Sequence, residues 1–261
     1  MLRQENRDGG KTATAGKPRQ SAPMDWAIVL VIGVFAGTLG GIVGFGTSIL
    51  LLPPLVIVFG PKEAVPIMAI VALMANLSRV AVWWREVDWR ACGVYSLTAI
   101  PFAALGATTL LRMNPRSIEI ALGVFFLLSI PIRRLLAGFK VRLWQLALVG
   151  AGIGFLTGIV ASTGPINAPF FLAYGLVKGA YLSTEAMGSL GIFLAKAIVF
   201  GFGGALPWPV VAKGLIVGST VTAGSFFAKR FVMRLDPSHF RLLMEVVLCA
   251  AGVSMILTAI V

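Results

Sequence analysis

Long apolar stretches are the feature that most constrains what this chain can fold into. Eight windows are almost wholly apolar: 26–44, 64–84, 91–111, 117–136, 142–161, 183–203, 209–227 and 240–260. A helix needs roughly 20 such residues to cross the hydrocarbon core of a bilayer. Charged residues make up only 12% of the chain, about half the usual fraction in a soluble domain. The sequence therefore predicts an all-α polytopic membrane protein, a helical bundle of about eight spanning helices.

Two further apolar windows, 46–59 and 165–177, are too short to span a bilayer comfortably. Each begins at an interruption rich in glycine and small polar residues. The interrupting residues are Gly44, Phe45, Gly46, Thr47 and Ser48 in the first case, and Ser162, Thr163, Gly164 and Asn167 in the second. Irregular backbone at membrane depth is tolerated only inside protein or beside a water-filled cavity. Both windows are predicted as short broken or re-entrant segments, with inert surface turns as the alternative.

The sequence also repeats itself. Gly33, Gly37 and Gly41 are spaced four residues apart, and Gly150, Gly154 and Gly158 follow the same spacing 117 positions later. The segment "GGIVGFG" at 40–46 matches "TGIVASTG" at 157–164, and "KEA" at 62–64 matches "TEA" at 184–186. We predict a tandem duplication, with a disordered polar tail at 1–24 and membrane repeats at 25–137 and 141–261. Whether the repeats are parallel or inverted depends on whether the short windows count as spans.

These repeats point to a transporter and to a binding site. Small residues four apart form a stripe on which another helix can pack closely, so the glycines are expected to press the two halves together or to hold each first helix to its own bundle. Paired interruptions in two repeats are the best indication of a transporter's substrate site. The amino-terminal end of a helix that starts at such a break favours an anion. The two interruptions are therefore predicted to meet and bind a negatively charged substrate.

At these residues the chain resembles the sulfite exporter TauE/SafE family of membrane transporters. The resemblance rests on "GGIVGFGTSILLLPPL", on "TGIVASTGPINAPFFLAYGL" and on the following "TEAMGSLGIFLAKAIVF", and it covers nearly everything after residue 25. It implies transport of small sulfur-containing anions such as sulfite or sulfonates, by export or by import. The first half departs from a symmetric pattern, because Phe45, Thr47 and Ser48 stand where counterparts of the second-half polar residues would be expected.

The basic residues Lys196 and Arg79 both lie inside apolar windows and are weighed for the site. Lys196 is near the middle of its window, with Ser189 on about the same face, so it is predicted to meet the anion. Snorkelling or a structural ion pair is the alternative for Lys196. Arg79 has Asn76 on its face but lies nearer a helix end, which favours snorkelling. Glu185 is placed at a helix start, and no proton relay based on a carboxylate is predicted.

The predicted substrate-binding residues are thus Gly44, Phe45, Gly46, Thr47, Ser48, Asn76, Ser162, Thr163, Gly164, Asn167, Ser189 and Lys196. The sequence predicts no catalytic residue, no metal site and no cofactor, since one histidine and two separated cysteines offer little for catalysis. The net charge of +12 is concentrated in the tail and at helix ends, which indicates membrane loops and not nucleic-acid binding.

The expected partners are a small anionic sulfur compound and the lipid bilayer, and the expected location is a cell membrane, in particular a bacterial inner membrane. A membrane-embedded enzyme, a non-transporting assembly factor and a channel remain alternatives at this point. The oligomeric state, the coupling ion and the direction of transport are left open.

Overall fold

The computed structural model describes residues 23–135 and 140–231, together with Cys249, Val253 and Leu257. The two continuous ranges are filled by helices, joined by short connections, and contain no strand. The helices are α1 (Pro23–Val43), α2 (Gly46–Phe59), α3 (Pro61–Trp83), α4 (Trp89–Arg112), α5 (Pro115–Leu135), α6 (Gln145–Ile159), α7 (Gly164–Tyr174), α8 (Lys178–Phe202) and α9 (Trp208–Phe231). A single 3₁₀ turn, Trp84–Glu86, lies between α3 and α4.

Local sequence explains where several of these helices begin and end. The Asp88 carboxylate accepts hydrogen bonds of 3.0 Å from the backbone amides of Arg90 and Ala91, which caps the start of α4. Gly60 ends α2 with a φ of +77°, a conformation that glycine adopts without strain. Pro61 follows as the first residue of α3, where its missing N–H has no consequence.

The helices of the two predicted repeats interlock. Helix α1 packs along α9, and α4 packs along α6, so each of these pairs takes one helix from 25–137 and one from 141–261. Helices α3 and α8 pack against each other, α3 also contacts α9, and α8 also contacts α4. The bundle therefore brings the middle of α3 and the middle of α8 into its interior.

Glycines permit the close approach of these paired helices. A Cβ added to Gly37 of α1 would lie 2.0 Å from the carbonyl oxygen of Val221 in α9. One added to Gly154 of α6 would lie 2.2 Å from the carbonyl oxygen of Ala99 in α4. Similar conflicts would arise at Gly33, Gly150 and Gly158. The prediction that the spaced glycines press the two halves together is confirmed at these five positions.

Five helices among the described residues are long and apolar enough to cross a membrane, namely α1, α3, α4, α8 and α9. Helices α2 and α6 are apolar but shorter, with 14 and 15 residues. Helix α5 covers most of window 117–136 and ends at the edge of the described residues. Window 240–260 lies outside the described residues, apart from the three isolated positions. The all-helical membrane fold is confirmed, whereas the count of eight spans stays a prediction.

Large apolar side chains lie on the outside of the bundle as well as in its core. Large apolar residues face outward, including Phe35, Leu97 and Phe202. Arg79 and Glu185 are buried instead. Ionisable residues of membrane helices usually face the interior of the bundle and mark substrate or ion pathways. The fold therefore concentrates its polar chemistry in one internal place.

Candidate functional site

The two interruptions meet inside the bundle. The first separates α1 from α2 at Gly44 and Phe45, and the second separates α6 from α7 at 160–163. A Cβ added to Gly164 would lie only 2.4 Å from the Cβ of Phe45. Phe45 and Thr163 are both buried. This burial excludes the alternative of two inert surface turns.

Gly44 allows the first interruption to turn sharply. Its φ of +89° lies in the left-handed region, and an added Cβ would lie 2.9 Å from the Tyr181 hydroxyl and 3.1 Å from Nη1 of Arg79. Its amide still donates to the carbonyl of Gly40 at 2.9 Å, which completes the last turn of α1. Helix α2 then starts in a new direction, with the Thr47 hydroxyl donating to the carbonyl of Ala36 in α1. The first turn of α2 is thereby fixed at the interior of the bundle.

A small polar cavity of about 30 Å³ lies at this meeting point, which is room for about two water molecules. Helices α3, α4, α6 and α8 and both interruptions contribute to its wall. Its polar and small lining residues are Gly44, Phe45, Thr47, Ser48, Asn76, Arg79, Tyr95, Thr157, Ser162, Thr163, Gly164, Asn167, Glu185 and Ser189. Its apolar wall is made of Ala72, Ala75, Ile192 and Phe193.

Most of the predicted site residues lie in this wall, and two do not. The ten in the wall are Gly44, Phe45, Thr47, Ser48, Asn76, Ser162, Thr163, Gly164, Asn167 and Ser189. Gly46 and Lys196 are absent from it. Gly46 packs against α1, because a Cβ there would lie 3.2 Å from the Cβ of Leu39.

Lys196 holds the end of α6 and does not face the cavity. Its ammonium group donates to the carbonyl oxygens of Thr157 and Val160, the second at 2.8 Å, and its side chain is fully buried. The Nζ atom also lies 5.6 Å from the ring centre of Phe193 and 5.7 Å from that of Phe200. A cation is favourable at the carboxyl end of a helix, where the helix dipole is negative. The structure gives Lys196 a structural position in place of the predicted contact with the anion.

Arg79, and not Lys196, is the basic residue that lies in the cavity wall. Its Nη1 donates to the carbonyl oxygen of Gly44 and lies 2.9 Å from Oε2 of Glu185, while Nη2 donates to Oδ1 of Asn76. The residue is 8% exposed, so the prediction that Arg79 snorkels towards a membrane surface is wrong. One signal in the sequence was available, since Arg79 stands 117 positions before Lys196, the same offset as the two sets of glycines.

Glu185 supplies the negative charge of the site. It is the eighth residue of α8, about two helical turns from the start, and it is buried. Its Oε1 accepts hydrogen bonds from Oγ of Ser189 at 2.9 Å and from Nδ2 of Asn167 at 3.3 Å. The prediction of a helix-start carboxylate is wrong for Glu185. Buried ion pairs need such additional hydrogen bonds to offset the cost of removing both charges from water.

Two buried oxygen atoms in the cavity wall lack a hydrogen-bond partner in ordinary geometry. They are the Tyr95 hydroxyl in α4 and the Oδ1 atom of Asn167 in α7. Buried polar groups are nearly always satisfied, so atoms of this kind indicate a place for a ligand or water. Tyr95 was missed by sequence reasoning, although it is the one tyrosine within window 91–111.

The arrangement places a cation and a carboxylate in the wall of one cavity. Arg79 offers a planar fork of donors that suits oxyanions. The starts of α2 and α7 add positive dipole ends at the same cavity. The Glu185 carboxylate already accepts a hydrogen bond from Arg79. An anion that entered the cavity would compete with Glu185 for one cation.

Comparison with known proteins identifies the family. Residues 29–255 match the protein family described as Sulfite exporter TauE/SafE. The chain belongs to this family. It is 25% identical over 256 residues to the probable membrane transporter protein YjnA of Bacillus subtilis strain 168, covering 87% of this chain and 98% of that protein.

A second relative matches over a shorter range. The chain is 24% identical over 116 residues to the probable membrane transporter protein YunE of the same organism, which is 40% of this chain and 42% of that protein. No solved structure matches the chain significantly. The family and the relatives' names, together with the five apolar helices, indicate a multi-pass membrane transporter and not an enzyme.

Proposed function

We propose that this protein carries small sulfur-containing anions, such as sulfite or small sulfonates, across a cell membrane, in particular a bacterial inner membrane. The substrate binds in the cavity where the two interruptions meet. The observation that carries this proposal is the buried Arg79 guanidinium, which lies in the wall of that cavity between the starts of α2 and α7. The family description supplies the substrate class.

The chemistry of the cavity fits an oxyanion with few atoms. A guanidinium presents parallel N–H groups that match two oxygens of one anion. Hydroxyl groups of Ser48, Thr163 and Ser189 lie in the same wall and can donate to further oxygens. The cavity is small, so a sulfite or methanesulfonate ion suits it better than a long organosulfur chain.

The proposal is tested by flux measurements in proteoliposomes. The panel is sulfite, methanesulfonate, sulfate and acetate, with sulfite supplied at alkaline pH so that little permeant sulfur dioxide forms. We expect uptake of sulfite or methanesulfonate well above that of empty liposomes, and weaker uptake of acetate. The absence of flux for both sulfur anions in correctly inserted protein would contradict the proposal.

A matched pair of variants locates the site in the same assay. Arg79→Gln removes the charge from the cavity wall, and Lys213→Gln removes a charge from the partly exposed pair that Lys213 forms with Glu63 at 2.6 Å. We expect Arg79→Gln to raise the half-saturation concentration for uptake by about 10- to 100-fold and Lys213→Gln to leave it nearly unchanged. Equal loss in the two variants would indicate a general effect of charge and would argue against this cavity as the site.

A further inference from the structure

We propose that Glu185 is a proton-binding site that couples anion transport to proton movement in the same direction. This inference rests on the proposed function and deepens it, because it names the co-transported ion and the residue that carries it. In each cycle Glu185 takes up a proton on the side where the anion binds and releases it on the side where the anion leaves.

Charge balance is the first reason. Among the described residues of the cavity wall, the charged groups are Arg79 and Glu185, and they form an ion pair of 2.9 Å. An anion that enters this enclosed place adds a negative charge where charges interact strongly. A proton on the Glu185 carboxylate removes one negative charge and restores neutrality. The loaded site then contains Arg79 with its anion and a neutral carboxylic acid.

The geometry of Arg79 is the second reason. The carbonyl of Gly44 and the Oδ1 atom of Asn76 hold two sides of the guanidinium in place. Oε2 of Glu185 accepts from the same Nη1 as the Gly44 carbonyl, and both Arg79 and Glu185 line the cavity. An anion that binds at Nη1 competes with this oxygen. Protonation releases Glu185 from the ion pair, because a neutral carboxyl group binds a guanidinium much less strongly than a carboxylate does.

The residues around Glu185 can accept a hydrogen bond from its carboxyl group when that group is protonated. A protonated Glu185 needs one acceptor, and the buried Oδ1 of Asn167 makes no hydrogen bond of ordinary geometry, although the Tyr95 hydroxyl lies beside the Asn167 side chain. The amide nitrogen of the same side chain already lies 3.3 Å from Oε1 of Glu185, so a rotation of the amide would offer the oxygen instead. The hydroxyl of Ser189 keeps its donation to Oε1 in both protonation states. The site therefore has partners for both forms of Glu185.

Other titratable groups near α8 do not take over this role. The elements packed against α8 contain Lys62, Glu63 and Arg79 in α3, Arg90, Cys92, Tyr95 and Arg112 in α4, Tyr174 in α7, and Arg85 and Glu86 in the 3₁₀ turn; α8 itself adds Lys178, Tyr181 and Lys196. Glu86 lies beside Gly179, more than one helical turn before Glu185. Lys196 donates to carbonyl oxygens of α6. Within the described residues, Glu185 is thus the carboxyl group of the cavity wall.

The test uses a substrate that cannot carry the proton itself. Methanesulfonate stays a monoanion across the working pH range, so any proton that enters with it is carried by the protein. Proteoliposomes of the full chain contain a pH-sensitive dye, and uptake of labelled methanesulfonate is recorded together with internal pH. For the wild type we expect protons and methanesulfonate to enter in equal number, and an acidic exterior to drive accumulation of methanesulfonate.

The variant Glu185→Gln tests proton coupling separately from anion transport. Its amide keeps the shape of the protonated carboxyl group but cannot release a proton. We expect this variant to exchange internal for external methanesulfonate, while proton entry and pH-driven accumulation are lost. Glu185→Asp retains a titratable group and should keep coupled uptake at a lower rate, which covers the case in which Glu185→Gln fails to insert. Glu63→Gln removes the carboxylate of the partly exposed pair with Lys213 and should leave the coupling intact.

The outcomes distinguish this inference from the proposed function. Anion uptake by the wild type without accompanying protons overturns the coupling role of Glu185 and leaves the proposed function standing. If Glu185→Gln still accumulates methanesulfonate in response to a pH gradient, the coupling role of Glu185 is likewise overturned and the proposed function still stands. The absence of flux for both sulfur anions overturns the proposed function and this inference with it.

Discussion

Arg79 and Lys196 make the most informative comparison in this molecule. They stand 117 positions apart in α3 and α8, which is also the spacing of the two glycine series. Both are buried, and both donate to backbone carbonyls at the end of the helix that opens their predicted repeat, Arg79 to Gly44 and Lys196 to Thr157 and Val160. Arg79 also lies in the cavity wall and pairs with Glu185, whereas Lys196 does neither.

Side-chain chemistry accounts for the difference. A guanidinium has five N–H donors in a fixed fork, so it can hold a backbone carbonyl and still offer donors elsewhere. An ammonium group has three donors at one point, and carbonyl oxygens take two of those of Lys196. The neighbour of Arg79 one turn back is the polar Asn76, while the residue at the same offset before Lys196 is Phe193. Two cations at corresponding positions thus differ because their partners differ.

The largest effect is expected at Arg79. Arg79→Gln leaves the buried Glu185 without its ion-pair partner, and removing one member of such a pair costs about 3–5 kcal/mol of folding stability. A hydrogen bond to a charged group is worth about 1.5–3 kcal/mol, so substrate affinity should fall by about 10- to 100-fold. Thermal unfolding in detergent and saturation of methanesulfonate uptake measure the two effects. Arg79→Lys is the matched variant, and it should retain the charge but recover only part of the affinity.

The contact between the two interruptions can be disturbed without changing either cation. Gly164→Ala would place a Cβ 2.4 Å from the Cβ of Phe45. Overpacking of this kind costs about 1–3 kcal/mol, and we expect a lower melting temperature together with weaker uptake. Gly152→Ala is the control, because a Cβ at Gly152 in α6 meets no atom within 4 Å. Wild-type stability and uptake in Gly164→Ala would show that the close contact is unimportant.

A smaller, purely structural effect is expected at Lys196. Lys196→Met keeps the length of the side chain but leaves the carbonyls of Thr157 and Val160 without its ammonium group. Unsatisfied buried groups cost about 1–3 kcal/mol each, so unfolding and the amount of inserted protein should change. The half-saturation concentration for methanesulfonate should stay within about twofold of the wild-type value. The loss of even one weak hydrogen bond to the substrate would change it by more than this. A loss of affinity as large as that of Arg79→Gln would mean that the two cations are equivalent.

The smallest effect is expected at Tyr95. Its hydroxyl has no protein partner in ordinary geometry, so Tyr95→Phe should leave the unfolding temperature unchanged or slightly raised. If the hydroxyl donates to bound anion, affinity should fall by roughly 2- to 10-fold, the equivalent of one neutral hydrogen bond. Tyr174→Phe, a tyrosine outside the cavity wall, serves as the control. Unchanged affinity in Tyr95→Phe would remove this hydroxyl from the anion site.

Much of the fold and of the cavity wall was predictable, because the length of an apolar run and the residues that interrupt it can be read directly from the sequence. Windows 26–44, 64–84, 91–111, 183–203 and 209–227 each became a helix able to cross a membrane. The helices end and restart at 44–45 and at 160–163, near the predicted interruptions, since glycines clustered with small polar residues inside an apolar run favour a break in the helix. That the paired breaks form one substrate site stays a prediction.

The roles of the charged residues were not predictable from how far each lies inside an apolar window. Lys196 was assigned to the anion because it lies in the middle of an apolar run, and Arg79 was assigned to the surface because it lies nearer an end. The structure shows that hydrogen-bond partners distant in sequence decide both cases, as Glu185 lies 106 positions from Arg79 and Thr157 lies 39 positions from Lys196. Position along one helix carries no information about such partners.

The central claim is that the anion binds Arg79 in the cavity between the two interruptions, and a bound heavy analogue tests it most directly. Selenite has the shape and charge of sulfite, and its selenium atom scatters X-rays anomalously. Crystals of the protein grown with selenite should show an anomalous peak within hydrogen-bonding reach of the Arg79 guanidinium. A selenium peak beside Lys196, or at another place away from Arg79, would contradict the account.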